Sequence, residues 1–385
     1  MRVIGLKLSI VRKLCSFTSE ETVGSLTFEK ISILFMTESF PSVAVVILNW
    51  NGRKFLEEFL PTVCATDYPS LEIYVADNAS QDDSVDFVRQ HYPGITLISN
   101  SGNVGFAEGY NQALSKIEAA YYVLLNQDVA VDPAWIRPLV MFMETHAAAG
   151  ACQPKILAQH RREQFEYAGA AGGWIDRWGY AFCRGRIFEE LETDRGQYDD
   201  PARVFWASGA ALFIRAELYH RAGGLDACFF AHMEEIDLCW RLQRLGYEVW
   251  CCPASVVYHV GGGSLPRGNS RKTFLNYRNN LIMMHKNLSG MQRFFTLLGR
   301  LSLDGLSALR SLVKGDAGEL SAILKAHRGY YGWRFGKSRG QYNLPADPVY
   351  RRSFSSLAGV YRGSVVWQYF VRHKKTFSSL DINQK

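Results

Sequence analysis

The sequence contains no uninterrupted apolar run of the roughly 18 to 20 residues that a helix needs to cross a bilayer. None of its 8 cysteines forms a C-x-x-C pair, so neither a zinc site nor a regular disulfide framework is indicated, and we expect reduced thiols in the cytoplasm. Internal repeats and low-complexity tracts are also absent. With 385 residues, of which 48% are hydrophobic, the chain can form one large core or two ordinary ones.

Acidic residues are scarce in the last third of the chain. Residues 266–385 contain 21 Lys and Arg residues but only 5 Asp and Glu residues. Residues 1–265 contain 22 Lys and Arg residues and 32 Asp and Glu residues. A basic region next to an acidic body indicates binding to phosphate groups, either those of an anionic lipid surface or those of a nucleic acid. A basic face that contacts only water is the alternative.

The composition divides the chain into four regions. Residues 1–40 have short apolar pieces without a sustained pattern, and we expect an extension that is disordered or not native, with Met36 as the true start. We predict a main domain over residues 41–265, an amphipathic helical region over residues 266–330 and a basic C-terminal tail over residues 331–385.

Strand and helix patterns alternate four times in the main domain. The first strand, VAVVIL at 43–48, is a continuous apolar run, which is typical of a strand buried on both faces of a parallel sheet. LEIYVAD, ITLIS and YYVLLN follow as further strands, with helical patterns and short polar links between them. This order predicts an α/β fold with a Rossmann-like, mostly parallel central sheet flanked by helices, and a C-terminal helical extension. The carboxyl ends of such strands bind ligands, and four polar residues lie there: Asn49, Asp77, Asn100 and Asp128.

The stretch LLNQDV ends an apolar strand in Asn126 and Asp128, whose side chains project the same way. Their oxygens suit Mg²⁺ or Mn²⁺, which prefer oxygen ligands and commonly share them with substrate phosphates. An Asx turn before Pro133 explains the same residues without a metal. In VADNASQDD, Asp77 is placed to bind a nucleobase or a ribose hydroxyl, whereas Asp82 is placed to cap the next helix.

The segment SGNVGFAEGYN spaces its glycines unlike the dinucleotide-binding fingerprint, and it lacks the GK[ST] ending of a P-loop. We therefore do not expect a triphosphate to be held as in P-loop proteins. The glycines either let the backbone approach a ligand closely or form a simple turn before a helix.

His259 ends an extended apolar segment just before three glycines. A single histidine at such a place serves either the structure or, if it joins Asn126 and Asp128 around one cation, the site.

Three acids, Glu234, Glu235 and Asp237, lie within four positions at the start of a helical pattern. Carboxylates this close raise one another's pKa. The dipole of a helix favours acids at its N-terminus and accounts for one or two of them. A third acid is less expected there and indicates a functional site, with a cation or Arg241 limiting the repulsion.

Seven stretches, in this order, resemble glycosyltransferase family 2 and, within it, the bacterial rhamnosyltransferase-like branch: VAVVILNWNG, VADNASQDD, NVGFAEGYNQAL, LLNQDV, SGAALFIR, GGLDACFFAHMEEIDLCWRLQRLGYEVW and VVYHVGGGS. The resemblance covers residues 41–285. It implies a GT-A fold with the catalytic domain at residues 41–265, a nucleotide-diphosphate sugar donor, a divalent cation and inversion at the anomeric carbon.

The same resemblance implies roles for residues at the strand ends. Asp77 matches the acid that contacts the nucleobase, and Asp128 matches the last acid of the metal-binding motif. Asn126 replaces the first acid of that motif, and His259 resembles a histidine that some members add to the cation or the diphosphate. We assign seven residues to donor binding: Asn49, Asp77, Asn100, Asn103, Gly105, Asn126 and Arg278.

The acidic stretch resembles the Glu-Asp motif of the family, whose second acid is the general base. That position is Glu235 in this chain, with Glu234 before it. Because Glu is one methylene longer than Asp, Asp237 stays open as an alternative base, and we prefer Glu235.

The basic helical region allows two interpretations at each of its parts. Arg271, Arg278 and Asn280 either contact phosphates of the donor or of a lipid-linked acceptor, or form a plain polar helix face. The amphipathic segment 291–314 either packs against the catalytic domain or lies on a membrane surface through four apolar residues: Phe294, Phe295, Leu298 and Leu301.

We therefore expect an inverting, metal-dependent transferase that moves a hexosyl or deoxyhexosyl group to a hydroxyl of a glycan or a lipid-linked acceptor. It would act in cell-surface polysaccharide synthesis, in the cytoplasm or on the inner face of the cytoplasmic membrane. A sugar-nucleotide nucleotidyltransferase and a non-catalytic binding protein with a basic tail are the alternatives. The acidic body argues against a nucleic-acid partner.

Overall fold

The computed structural model describes three parts of the chain: residues 40–261, 269–336 and 353–382. By its internal contacts the chain divides into two units, Met1–Phe40 and Pro41–Lys385. The expectation for the N-terminal extension and for Met36 lies outside the described residues.

A large sheet forms the centre of the second unit, with ten strands in the described residues. Its strands, in chain order, are β1 (Val43–Asn49), β2 (Leu71–Asp77), β3 (Thr96–Ser99), β4 (Tyr121–Asn126), β5 (Val129–Val131), β6 (Ala149–Ala158), β7 (Arg161–Phe165), β12 (Ala202–Arg203), β13 (Ala211–Arg215) and β14 (Glu248–His259). A smaller sheet contains β8 (Gly173–Asp176), β9 (Ala181–Cys183), β10 (Arg186–Ile187), β11 (Glu190–Leu191) and β15 (Val360–Tyr361).

The helices cover both faces of the large sheet and extend beyond it. They are α1 (Arg53–Cys64), α2 (Ser84–His91), α3 (Gly105–Leu114), α4 (Ile136–Thr145), α5 (Ala216–Arg221), α6 (Glu234–Arg244), α7 (Ser270–Asn287), α8 (Gly290–Val313), α9 (Ala317–Phe335) and α10 (Val365–Phe370). The predicted α/β fold with flanking helices and a C-terminal helical region is confirmed.

The four predicted strands β1 to β4 are adjacent and parallel, in the order β3-β2-β1-β4. Val45 and Val46 of β1 are both fully buried and belong to two different core clusters. Successive side chains of a strand point to opposite faces, so a strand covered on both faces needs the continuous apolar run that the sequence contains.

The sheet contains antiparallel strands as well, but four of the seven neighbouring pairs in its main order are parallel, as predicted. Its order is β12-β14-β6-β13-β4-β1-β2-β3, with β5 and β7 paired at the side. Strand β13 is antiparallel to both β4 and β6, whereas β14 is parallel to β6. The C-terminal half of the sheet is therefore built around one reversed strand.

The described part of the predicted basic tail packs back onto the domain. Strand β15 pairs in parallel with β8, and the backbone N–H of Val365 donates to the buried carboxylate of Asp176 at 3.0 Å. Helices α7 to α9 form the predicted helical region, and α9 packs along α7. Within the described residues, no helix is long and apolar enough to span a membrane.

Candidate active site

A cavity of about 250 Å³ opens at the carboxyl ends of β1 and β4. It brings together three residues that lie far apart in the chain: Asp128, Glu235 and His259. Other predicted site residues along its wall are Asn103, Gly105, Asn126 and Glu234. The position agrees with the rule that α/β sheets bind ligands beyond the carboxyl ends of their strands.

Strand pairing explains why Asp128 and His259 meet. Asp128 lies between β4 and β5, and β5 pairs antiparallel with the end of β14, where His259 is opposite Val129. His259 Nε2 is 3.2 Å from Asp128 Oδ1 and 3.4 Å from Asn126 Nδ2. Asp128 and His259 are both about 4% exposed, so this polar cluster is buried.

Glu166, which the sequence analysis missed, completes the cluster. Its Oε2 lies 3.3 Å from Nδ1 of His259, and the residue is buried. Burial alone would lower the pKa of His259, but Asp128 and Glu166 raise it well above its ordinary value. Burial also opposes ionisation of Glu166, yet the charge and hydrogen bond of His259 hold the pKa of Glu166 below its ordinary value.

The first two acids of α6 face the cavity. Glu234 is buried, and burial together with the charge of Glu235 raises the pKa of Glu234 well above its ordinary value. Burial raises the pKa of Glu235 to about 7. Within the described part of the chain, Oε2 of each residue is buried and has no hydrogen-bond partner. A carboxylate with an unpartnered oxygen and a pKa near neutrality is suited to accept a proton from a substrate.

Asp237 is turned away from the cavity and is bound by other residues. It is fully buried, pairs with Arg241 Nε at 2.8 Å and lies 3.6 Å from Lys286 Nζ. Asn287 Nδ2 donates to its other oxygen at 2.7 Å. Burial opposes ionisation, but Lys286, Arg241 and Asn287 hold the pKa of Asp237 below its ordinary value. The repulsion among the three acids is therefore limited because Asp237 is paired with two cations, Arg241 and Lys286.

The loop before α6 is strained and is held by α7. Phe230, His232 and Met233 have φ of 65°, 71° and 78°, which is unfavourable for residues with a side chain. Asn279 is fully buried, and its Nδ2 lies 2.8 Å from the carbonyl oxygens of both Ala231 and His232. These contacts fix the segment that leads directly into the two cavity acids.

Arg278, which we predicted to bind the donor, also serves this loop. Its Nη2 donates to the carbonyl oxygens of Cys228 at 2.8 Å and Phe229 at 3.1 Å. The side chain does not line the cavity in the described residues. Two neighbouring basic residues at the start of α7 do so, namely Arg271 and Lys272.

Three other predicted donor-binding residues form a buried layer behind the cavity wall. Asn49 Nδ2 donates to Asp77 Oδ1 at 2.8 Å, because β1 and β2 end in register. Asn100 Nδ2 is 3.3 Å from Oδ1 of Asn78. Asn78 itself lines the cavity and donates to Asn103 and to the carbonyl of Gly105. The sequence analysis missed Asn78, although its position next to Asp77 at a strand end could have indicated it.

Gly105 marks a close approach of two backbones. Its φ is 86°, and a Cβ added there would lie 2.6 Å from the carbonyl oxygen of Phe230. Only glycine fits this position, which joins the start of α3 to the strained loop.

A divalent cation at this place would be held by Asp128 Oδ1 and His259 Nε2, which lie 3.2 Å apart at the cavity. Asn126 would contribute its amide oxygen, and Glu166 would fix the imidazole through Nδ1, as carboxylates commonly do behind metal-binding histidines. Among the described residues, no group of three His, Cys, Asp or Glu side chains is placed to hold an ion. Such an ion would therefore need ligands from phosphates and water as well.

Known proteins are similar in sequence to this chain. Residues 44–210 match the model of glycosyl transferase family 2. The chain is 25% identical over 300 residues to the N-acetylglucosaminyl-diphospho-decaprenol L-rhamnosyltransferase of Mycobacterium tuberculosis, across 72% of this chain and 95% of that protein. It is also 25% identical over 228 residues to rhamnosyltransferase WbbL of Escherichia coli, across 56% of this chain and 83% of that protein.

Solved structures are similar at a lower level. A mannosyltransferase from Pyrobaculum calidifontis, in complex with GDP-Man and Mn²⁺, is 15% identical, with a TM-score of 0.49, across 86% of this chain and 95% of that chain. The family match rests on the sequence, and it favours neither the nucleotidyltransferase nor the non-catalytic alternative. Residues 44–210 therefore match glycosyl transferase family 2, and the chain is similar to rhamnosyltransferases.

Proposed function

We propose that the chain is an inverting, cation-dependent glycosyltransferase that moves a hexosyl or deoxyhexosyl group from a nucleotide diphosphate to a hydroxyl of a glycan or lipid-linked acceptor. The observation that carries the proposal is the shared cavity of Asp128, His259 and Glu235. In this cavity Asp128 and His259 offer ligands for a cation, and Glu235 offers a carboxylate.

In this proposal Glu235 is the general base. Its carboxylate accepts the proton of the acceptor hydroxyl while the hydroxyl oxygen bonds to the anomeric carbon. The bond between that carbon and the diphosphate oxygen breaks at the same time, and attack from the opposite face inverts the configuration. Proton transfer to a well-placed base contributes on the order of 10² to 10⁴ in rate.

The charge that grows on the leaving diphosphate needs a counter-charge. Asp128, His259 and Asn126 would hold Mg²⁺ or Mn²⁺, whose contribution is to neutralise that charge. Arg271 and Lys272 line the cavity and add positive charge. Asp77 and Asn49, which pair at the ends of β2 and β1, adjoin Asn78. Through Asn78 they would orient the nucleobase of the donor.

The names of the relatives indicate which substrates to test first. The Mycobacterium tuberculosis relative is named for L-rhamnosyl transfer to a sugar diphosphate on a polyprenol. We propose a deoxyhexosyl donor and an acceptor of that chemical class, with a role in cell-surface glycan synthesis on the inner face of the cytoplasmic membrane.

The test is a transfer assay with a panel of nucleotide sugars, with Mn²⁺, with Mg²⁺ and with a chelator. We expect transfer from one donor class, loss of transfer with the chelator and its recovery with added metal. Asp128→Ala should abolish metal-dependent donor binding. Asp132→Ala, which removes an exposed acid outside the cavity, is the matched control. Unchanged donor affinity in Asp128→Ala would contradict the cation site.

A further inference from the structure

Helix α8 turns its polar face inward. Its buried residues are Thr296, Arg300, Asp304 and Ser311. Arg300 Nε donates to Asp304 Oδ1 at 2.7 Å and Nη1 donates to Asn280 Oδ1 at 2.9 Å, while Ser311 Oγ donates to Glu319 at 2.8 Å. A surface helix ordinarily buries its apolar face and exposes its polar one, so this helix is reversed.

The outward face of α8 is apolar towards both ends of the helix, with the exposed Ser302 and Gly305 between the two apolar parts. Eight large apolar side chains are more than half exposed: Met291, Phe294, Phe295, Leu298, Leu306, Leu309, Leu312 and Val313. At 100° per residue they occupy an arc of about 120°, opposite the buried polar residues. The adjoining helix α9 exposes Leu324, Tyr331 and Phe335 as well. So many exposed large apolar side chains on one face mark an interaction site rather than ordinary surface composition.

The charges around this surface are mainly basic. Asp304, the sole acid between Gly290 and Val313, is fully buried, whereas Asp316 between the two helices is exposed and Glu319 of α9 is half-buried. Four basic residues on α8 and α9, or between them, are exposed: Arg310, Lys314, Lys325 and Arg328. Apolar side chains flanked by Lys and Arg suit the boundary between head groups and acyl chains of an anionic bilayer.

The apolar surface ends near the cavity. Tyr277 hydrogen-bonds to Ser307 at 2.7 Å and Arg300 bonds to Asn280, so α7 and α8 run antiparallel. Arg271, at the cavity, is six residues before Tyr277, and Val313 is six residues after Ser307. Both steps correspond to ~9 Å of helix in the same direction. The C-terminal end of α8 is therefore level with the start of α7.

We propose that the lipid face, defined as the eight apolar residues of α8 with Leu324, Tyr331 and Phe335 of α9, docks on an anionic lipid bilayer. The part of this inference that concerns the acceptor rests on the proposed function: docking would bring a lipid-linked hydroxyl to the level of the cavity. A symmetric pair of chains joined through the same face would bring the flanking basic residues of the two copies together, which disfavours a second copy as the occupant.

The test is flotation of the full chain with vesicles of phosphatidylcholine alone and of phosphatidylcholine with phosphatidylglycerol. The wild type should bind the anionic vesicles at least about tenfold more tightly. Leu309→Gln/Leu312→Gln should reduce that binding at least about tenfold, and Lys314→Glu/Lys325→Glu should remove the preference for anionic lipid. Met141→Gln, at a 64% exposed residue of α4, is the matched control and should bind as the wild type does.

Donor binding without vesicles separates this inference from the proposed function. The leucine variant should keep wild-type affinity for the nucleotide sugar, and a chain without transferase activity could still bind vesicles. Absence of vesicle binding by the wild type, or equal binding by the leucine variant, would overturn the inference. So would a wild-type dimer, seen in sedimentation, that the leucine variant separates into monomers without any vesicle binding.

Discussion

Replacing Asp237 by Asn should destabilise the protein rather than impair the chemistry selectively. Asp237 is 0% exposed and Arg241 is 1% exposed, so the carboxylate balances buried positive charge. Removing one member of a buried ion pair costs about 3 to 5 kcal/mol. Arg241 also donates to the carbonyl oxygens of Ala222 and Gly224, which partly satisfies it, and we expect the lower end of that range.

The assay is urea unfolding near neutral pH, compared with unfolding in acid. The folded-state pKa of Asp237 is depressed, so its stabilisation is present above the unfolded-state pKa and is lost as the pH falls through the folded-state pKa. The difference between wild type and Asp237→Asn should therefore shrink in acid. Asp86→Asn, which breaks the exposed pair with Arg89, should change the free energy of unfolding by less than about 0.5 kcal/mol. A fully stable Asp237→Asn chain without transfer activity would refute the reasoning and make Asp237 the base.

Three further predictions concern the cavity. Glu166→Gln should weaken Mn²⁺ binding about 10- to 100-fold in calorimetry without donor, because His259 loses its carboxylate partner at Nδ1. The control Glu163→Gln, at an exposed residue of β7, should bind Mn²⁺ as the wild type does. Wild-type Mn²⁺ affinity in Glu166→Gln would contradict the role of Glu166 in the cluster. Asn279→Ala should lower kcat more than it changes the KM of the donor, since it releases the loop before α6. An unchanged kcat would mean that Asn279 does not position the cavity acids. With a pKa of about 7, Glu235 should make kcat/KM for the acceptor rise with pH through neutrality, and a flat profile would contradict its role.

The strands were predictable because their burial leaves a direct trace in the sequence. Continuous apolar runs predicted β1 and β4, which are covered on both faces. The reversal of β13 left no such trace, since a strand buried on both faces has the same pattern in either direction. Its direction depends on where the preceding chain crosses the sheet, which the residues of SGAALFIR do not encode.

The clustering of Asn126, Asp128 and His259 was predictable because polar residues there follow or end apolar strands. Glu166 was missed because its partner His259 is 93 residues later, and strands β6 and β14 bring the two together. The structural role of Asp237 did have a signal, the Arg four positions later on the same helix face. The sequence contained no signal for the structural role of Arg278, because the groups that accept its hydrogen bonds are backbone carbonyls.

The most direct test of the account is the single-turnover transfer rate of Glu235→Gln, measured at saturating donor and metal. Gln keeps the size of the side chain but cannot take up the proton of the acceptor hydroxyl. We expect the donor to bind as tightly as it does to the wild type and the rate to fall by about 10²- to 10⁴-fold. Transfer at the wild-type rate would mean that the base is another group and that the cavity acts differently.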